Sequence, residues 1–162
     1  MISLEPMTQA QFERYLEMAV PEYAQAHLAA GDCDPDRALE MARADYVALL
    51  PAGLKSDDQH LFSIRVAGKP APIGMVWFEL RESAGRKSAF IYDFRIDESQ
   101  RGKGFGRSTL ARVDEQLKSM GARSVALNVL GDNHRARALY EKHGFRVTGI
   151  GMRKVFAARQ EP

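Results

Sequence analysis

The chain has 162 residues, 45% hydrophobic and 27% charged, a composition that fits one globular domain and excludes a disordered or low-complexity chain. The formal net charge of +2 is unevenly spread: residues 1–100 carry 10 Lys and Arg against 16 Asp and Glu, and residues 101–162 carry 13 against 5. The single cysteine, Cys33, excludes an internal disulfide framework. Neither a signal-peptide pattern nor an apolar run of about 20 residues is present, so we expect a cytoplasmic protein without membrane contact.

The first 58 residues predict a short strand followed by two helices. Ile2–Leu4 is the candidate strand, and Thr8 is a candidate N-cap for the first helix. Pro21 predicts that this helix kinks or splits, because proline lacks the N–H that a helix interior needs. Asp34-Pro35 predicts the start of a second helix, since Asp suits the N-cap and Pro the first turn, and Pro51 predicts its end.

The rest of the chain predicts alternating strands and helices. In order, these are the strands Leu61–Val66, Ile73–Leu80 and Ala89–Ile96, a glycine-rich loop, a helix ending at Gly121, the strand Ser124–Leu130, a helix from Asn133 through Tyr140, and closing strands within Val147–Phe156. A strand–helix–strand unit of this kind places two strands parallel. The sequence therefore predicts an α/β fold.

The most informative segment is Gln100-Arg101-Gly102-Lys103-Gly104-Phe105-Gly106, between a predicted strand and a predicted helix. Its alternating glycines keep side chains away, so that consecutive backbone N–H groups can converge on one anion. The helix that follows directs its free N–H groups and positive dipole end at the same place. Arg101, Lys103 and Arg107 add fixed positive charge. The segment therefore predicts a phosphate or pyrophosphate site.

Two other phosphate-binding motifs do not match this segment. The spacing G-x-x-x-x-G-K-[ST] of a Walker A loop is absent, and G-x-G-x-G differs from the G-x-G-x-x-G of dinucleotide-binding folds. The alternative without function is a flexible glycine turn with solvated Arg and Lys. The position between a strand and a helix disfavours that alternative.

The segment resembles the pyrophosphate-binding signature of the GNAT superfamily of N-acetyltransferases. That signature (Gln or Arg, two residues, Gly, one residue, Gly or Ala) is met by Arg101, Gly104 and Gly106. The likeness covers residues 60–156, and it continues in Phe94-Arg95-Ile96 at the end of the preceding strand, in Asn133, and in the run Tyr140–Phe145. The first 55 residues resemble the family only in having helices where its variable substrate-binding helices lie.

The resemblance implies a single domain over residues 1–162, with a helical substrate-side part at 1–58 and an acetyl-CoA-binding core at 60–156. The implied fold is one mixed, mostly antiparallel twisted sheet with a splayed parallel strand pair and helices on both faces. The implied activity is transfer of an acetyl group from acetyl-CoA, a co-substrate, to a primary amine. The backbone of Phe94, Arg95 and Ile96 would hold the pantetheine arm, and the loop from Gly102 to Arg107 would hold the pyrophosphate.

The resemblance also implies catalytic roles. Tyr140 matches the position of the family's general acid, and a phenol with a pKa of about 10 is protonated at neutral pH. Asn133 is implied to reach the CoA arm, to cap its helix, or both. Where some members carry a Glu as base, this chain carries Tyr92. Glu79, acting through water, is the first candidate base and Asp93 the second, because a carboxylate in an apolar strand is costly unless paired or functional.

The acceptor and any partner are less constrained. The acidic first half suits a cationic amine, either a small molecule or a peptide. A non-catalytic acyl-CoA-binding or sensor module of the same fold is the alternative function. The basic second half raises nucleic-acid binding, but no base-reading motif accompanies it, so no such partner is expected. The four histidines lack metal-ligand spacing, so no metal is expected. Homodimers are frequent in the family that the chain resembles, so a homodimer is a possible assembly.

Overall fold

One five-stranded sheet organises the described part of the molecule. The structure is a computed structural model that describes residues 1–31 and 33–156. The strands are β1 (Ile2–Pro6), β2 (Gln59–Val66), β3 (Gly74–Ser83), β4 (Arg86–Ile96) and β5 (Val125–Leu127). Neighbours from β1 to β4 pair antiparallel, and β4 pairs parallel with β5. The fold is therefore the predicted mixed, mostly antiparallel α/β fold.

Four α-helices accompany the sheet: α1 (Gln9–Ala30), α2 (Pro35–Leu49), α3 (Phe105–Ser119) and α4 (His134–Lys142). Short 3₁₀ turns lie at Gly53–Lys55 and Glu98–Gln100. Thr8 caps α1 as predicted, in a capping box whose second member is Gln11. Among the described helices, none combines the length and apolarity needed to cross a bilayer.

The predicted split at Pro21 is wrong, because α1 continues through it to Ala30. Proline cannot donate to the carbonyl four residues earlier, which here belongs to Glu17. Both Pro21 and Glu17 are exposed, so water can reach that carbonyl. The helix is also anchored on either side of Pro21 by buried Ala19, Val20 and Ala24.

The helices cover both faces of the sheet. On one face, Phe12 and Tyr15 of α1 pack in a cluster with Leu61, Met75 and Trp77. On the other face, Val113 and Leu117 of α3 pack in a cluster with Val76, Phe78 and Ile91. We call these the α1/α2 face and the α3 face. A residue's place along a strand therefore decides which set of helices it meets.

A β-bulge interrupts this alternation in β4. Trp77 is opposite Asp93 and Phe78 is opposite Ile91, which leaves Tyr92 as the extra residue. Tyr92 stacks on Trp77 with ring centroids 4.7 Å apart, and Asp93 accepts a hydrogen bond from Tyr15 of α1. Two consecutive residues thus meet the α1/α2 face, whereas Ile91 and Phe94 pack in the cluster of the α3 face.

Two predicted strands are corrected. The strand predicted at Ser124–Leu130 is confined to Val125–Leu127, and no strand forms within 147–156. A strand needs a neighbour for its backbone hydrogen bonds, and residues 147–156 pair with none of the described strands. Gly149 and Gly151 also weaken strand propensity there, and Ile150 and Met152 are 78% and 94% exposed instead of packed.

Candidate active site

The parallel pair β4 and β5 separates partway along β4. Its pairing runs from Ala89 to Ile91 on β4, although β4 itself continues to Ile96. Over Tyr92–Ile96, β4 keeps β3 as its partner on one side. Its other edge has no strand partner among the described residues. Phe94, Arg95 and Ile96 therefore lie on an open edge whose backbone groups can bind an extended ligand.

The glycine-rich loop follows β4 and leads into α3. Gly102 and Gly104 have φ angles of +77° and +80°, which glycine adopts without strain. A Cβ added at either position would meet no atom within 4 Å. Gly104 is the N-cap of α3, and no side chain caps this helix. The first turn of α3 thus offers backbone N–H groups next to open space, as an anion site requires.

Gly106 differs from Gly102 and Gly104 in its surroundings. It lies inside α3, and an added Cβ would come within 3.1 Å of Leu139 Cδ2. Its missing side chain therefore lets α3 and α4 approach closely. The sequence assigned all three glycines to anion binding; the structure gives Gly106 a packing role as well.

Basic side chains surround the loop. The guanidinium of Arg101 donates from Nε to the Ile96 carbonyl at 2.8 Å, which fastens the loop to the end of β4. Lys103 Nζ donates to the Ser99 carbonyl at 2.8 Å. Arg107 and Arg135 line the adjoining cleft. The sequence analysis did not point to Arg135. Its position two residues after Asn133, at the start of the same short helix, could have identified it.

A cleft of about 370 Å³ joins these features. It is bounded by the open edge of β4, the loop, the start of α3 and one side of α4. Its lining includes Tyr140 and all the predicted cofactor-binding residues except Lys103, namely Phe94, Arg95, Ile96, Arg101, Gly102, Gly104, Phe105, Gly106, Arg107 and Asn133. The structure therefore brings together residues that the sequence separates by nearly 50 positions.

Tyr140 lies on α4 beside the open edge of β4. Its ring centroid is 6.4 Å from that of Phe94 and 5.5 Å from that of Phe145. Burial, and then the negative charge of Asp93, raise the pKa of Tyr140 to about 12. The phenol is therefore protonated at neutral pH and can donate a proton into the cleft. Asn133 caps α4, since its Oδ1 accepts from the backbone N of Ala136 at 3.1 Å.

Asp93 is held by two elements. Tyr15 of α1 donates its hydroxyl to Oδ2 at 2.9 Å, and Arg95 Nε donates to both carboxylate oxygens at 2.8 and 3.0 Å. Arg95 also forms an ion pair with Glu22 of α1. Burial and the Asp93 charge raise the pKa of Tyr15, so its hydroxyl remains a donor. These contacts tie α1 to the part of β4 that lines the cleft.

Glu79 lies in a similar network farther along the sheet. Its Oε2 accepts from Arg81 Nε at 2.7 Å and from the Tyr92 hydroxyl at 2.9 Å. Arg81 also donates to the Tyr92 oxygen. The Tyr92 that replaces the family's Glu is thus a partner of Glu79. Glu79 is not among the residues that line the cleft of Tyr140.

Comparison with known proteins identifies the family. The sequence model described as "Acetyltransferase (GNAT) family" matches residues 13–145. The chain belongs to the GNAT acetyltransferase family. The uncharacterized N-acetyltransferase YycN of Bacillus subtilis is 36% identical over 153 residues, covering 94% of this chain and 97% of YycN. A second Bacillus subtilis N-acetyltransferase, YdgE, is 32% identical and covers 94% of this chain and 96% of its own.

The GNAT assignment extends to the three-dimensional structure. The crystal structure of YycN from Bacillus subtilis superposes with a TM-score of 0.89 at 34% identity, covering 98% of this GNAT chain and all of YycN. The open edge of β4, the glycine-rich loop and Tyr140 are therefore parts of an acetyltransferase fold. Within residues 1–31 and 33–156, no three His, Cys, Asp or Glu side chains group as metal ligands.

Proposed function

We propose that this acetyltransferase moves an acetyl group from acetyl-CoA to a primary amine by direct attack of the amine on the thioester. One observation supports this above all: a single cleft joins a helix N-terminus with basic side chains, an open strand edge and a protonated phenol. These three features suit, in order, the pyrophosphate, the pantetheine arm and the sulfur of acetyl-CoA. That molecule supplies the acetyl group as an activated thioester.

The phosphate end of the cleft fits a pyrophosphate. Gly102 and Gly104 place no side chain there, and the start of α3 presents N–H groups without a side-chain cap. Arg101, Arg107 and Arg135 contribute positive charge along the lining. Charge-assisted hydrogen bonds from guanidinium groups to phosphate are among the stronger ones in proteins.

The thioester end of the cleft fits direct transfer. Tyr140 would protonate the departing sulfur, since it lines the cleft and its raised pKa keeps the proton on the phenol. A covalent acetyl-enzyme would need a nucleophile in the cleft. Cys33 packs against the α1/α2 helix pair instead. An amine that attacks the thioester itself requires no such residue.

The test begins with binding. Thermal unfolding is followed with acetyl-CoA, CoA, NAD and ATP; a ligand at 100 times its Kd adds about 2.7 kcal/mol to the free energy of unfolding. We expect a raised midpoint with acetyl-CoA and CoA and little change with NAD. Turnover is then measured as thiol release with spermidine, kanamycin, Nα-acetyl-lysine and an alanyl peptide. Tyr140→Phe should lower kcat by about 10²-fold or more while acetyl-CoA affinity persists.

Tyr23→Phe is the matched control, because Tyr23 is a half-exposed phenol of α1 that lies outside the cleft. An unchanged kcat in Tyr140→Phe would remove Tyr140 from the reaction. A folded protein whose unfolding midpoint does not change with acetyl-CoA or CoA would refute the proposal as a whole. Binding without thiol release from any of the four amines would instead indicate the alternative, a non-catalytic acyl-CoA-binding module.

A further inference from the structure

The acceptor side of the cleft raises the question of which group takes the proton from the amine. We propose that Asp93 is this proton acceptor and that Tyr15 is its positioning residue; the inference rests on the proposed function. The β-bulge at Tyr92 is the first observation that supports it. With regular alternation Asp93 would meet the α3 face, whereas the bulge turns it to the α1/α2 face, one residue before the cleft-lining Phe94.

The second observation is that Asp93 is fixed but retains accepting capacity. Tyr15 and Arg95 together make three hydrogen bonds to its carboxylate. A carboxylate has about four lone-pair sites, so one remains for a substrate N–H. Among the described residues, the charged and titratable groups that interact with Asp93 are Tyr15 from α1, Tyr46 from α2, Arg95 from β4 and Tyr140 from α4. Arg95 is the single cation in this set and shares its charge with Glu22.

The proton balance involves two groups, Asp93 and Tyr140. As the C–N bond forms and the C–S bond breaks with its electron pair on sulfur, the nitrogen loses one proton and the sulfur gains one. Asp93 takes the first proton and Tyr140 gives the second. One proton then passes from Asp93 to the Tyr140 oxygen and restores both groups. An acceptor that arrives as an ammonium releases one further proton to solvent.

The two groups are also coupled electrostatically. The negative charge of Asp93 is the second cause of the raised pKa of Tyr140, after burial. When Asp93 becomes neutral by taking a proton, that cause disappears and the pKa of Tyr140 falls. Tyr140 is therefore a stronger acid once Asp93 is protonated, which is the step where the sulfur needs a proton.

Glu79 makes a comparable set of contacts but lies elsewhere. Both carboxylates accept from one tyrosine hydroxyl and one arginine Nε. Neither carboxylate lines the cleft itself, but Asp93 immediately precedes three cleft-lining residues, Phe94–Ile96, and its charge acts on the Tyr140 hydroxyl. The geometry thus favours Asp93 over Glu79, the reverse of the order suggested by the sequence.

The experiment compares Asp93→Asn with the unmodified protein on whichever of the four amines is acetylated. We expect kcat to fall by about 10²-fold or more. We also expect kcat/KM of the unmodified protein, referred to the concentration of unprotonated amine, to be level across the neutral range. In Asp93→Asn the same quantity should rise steadily with pH as hydroxide replaces the base. Without turnover, calorimetry on the CoA complex should show amine affinity weakened about tenfold, while CoA affinity is unchanged.

Three further variants complete the test. Tyr15→Phe keeps the ring in the core but removes one hydrogen bond, so kcat should fall about tenfold with the level pH profile retained. Asp93→Glu keeps a carboxylate, and its retained level profile tests the inference if Asp93→Asn does not fold. Glu5→Gln, in a surface pair with Arg65, controls for the exchange of carboxylate by amide.

Two results would overturn the assignment of Asp93. One is an Asp93→Asn variant with near-normal kcat, unchanged pH profile and normal amine affinity. The other is loss of the level profile in Glu79→Gln rather than in Asp93→Asn. Failure of the proposed function is distinct, because the unmodified protein would then acetylate none of the amines.

Discussion

Gly74 lies where β3 meets the end of β4, and its Cα is paired with that of Ile96. A Cβ added at Gly74 would be only 2.0 Å from the carbonyl oxygen of Arg95. That oxygen belongs to backbone of the open β4 edge, so relief of the clash must move the strand itself. The missing side chain of Gly74 thus supports the position of residues that line the cleft.

Gly74→Ala should therefore damage both stability and binding. We expect the free energy of unfolding to fall by about 3 kcal/mol, at the upper end of the usual cost of overpacking. Acetyl-CoA affinity should fall in the same variant, because Arg95 and Ile96 line the cleft. Urea unfolding and calorimetry measure the two effects.

Gly149→Ala serves as its control, since an added Cβ there meets no atom within 4 Å. We expect a change within about 0.5 kcal/mol for that variant. If Gly74→Ala were as stable as Gly149→Ala, the close approach of β3 and β4 at this point would be disproved.

At the scale of single residues, the sequence identified the groups of the cleft better than their interactions. The place of Gly102, Gly104 and Tyr140 in one cleft was predictable, because each belongs to a local motif. The hydrogen bond from Tyr15 to Asp93 joins residues 78 positions apart. It also depends on the bulge at Tyr92, which no local pattern in β4 reveals. Tertiary contacts of this kind can be predicted only once the register of two strands is known.

Among the elements, helices α1 and α2 begin differently, although both follow a residue of a type that favours the N-cap. Thr8 accepts a hydrogen bond from the backbone of Gln11, and the Gln11 side chain returns one to Thr8. Asp34 makes no side-chain capping hydrogen bond. The helix dipole still favours the Asp34 carboxylate at this position.

The two caps should therefore differ in energy. We expect Thr8→Ala to lower the free energy of unfolding by about 1 kcal/mol, and Asp34→Ala by about 0.5 kcal/mol or less. Urea unfolding of the two variants measures the difference, and each serves as the other's control. Added salt should reduce the effect of Asp34→Ala, because salt screens the interaction between the carboxylate and the helix dipole. The effect of Thr8→Ala should not change with salt. Equal losses in both variants would contradict the capping box.

The elements themselves were predicted well where the signal is local and poorly where it is not. The caps of α1 and α4 and the order of the elements through α4 are confirmed. The closing strands predicted within 147–156 are wrong, because apolar residues such as Ile150 predict a strand only if a neighbouring strand pairs with them. β5 is short for the same reason, since its pairing with β4 stops at Ile91.

Over the whole molecule, the acidic and basic parts of the chain contribute different elements around the cleft. The basic part of the chain, residues 101–162, contributes α3, α4 and the loop that would bind phosphate. The acidic part contributes α1 with Glu22, and β4 with Asp93. A polyanionic co-substrate and a cationic acceptor would then approach from different directions. The uneven charge visible in the sequence thus corresponds to different elements of the fold.

All five tyrosines have a raised pKa, and burial is the first cause in each. The pKa of Tyr140 rises from its ordinary value of 10 to about 12. Between pH 10 and 12 the unfolded chain loses the Tyr140 proton while the folded chain keeps it. The unfolded state then binds fewer protons, so the free energy of unfolding falls as pH rises through this range.

We therefore expect the protein to be fully stabilised by Tyr140 below pH 10 and to lose roughly 2–3 kcal/mol of that contribution by pH 12. Ultraviolet absorbance of tyrosinate, recorded beside circular dichroism, should show ionisation of the buried phenols appearing together with unfolding. Tyr140→Phe should flatten the fall in stability, because phenylalanine has no proton to lose. Ionisation of all five tyrosines near pH 10 in a protein that stays folded would contradict the burial of these phenols, and with it the protonated state that Tyr140 needs as an acid.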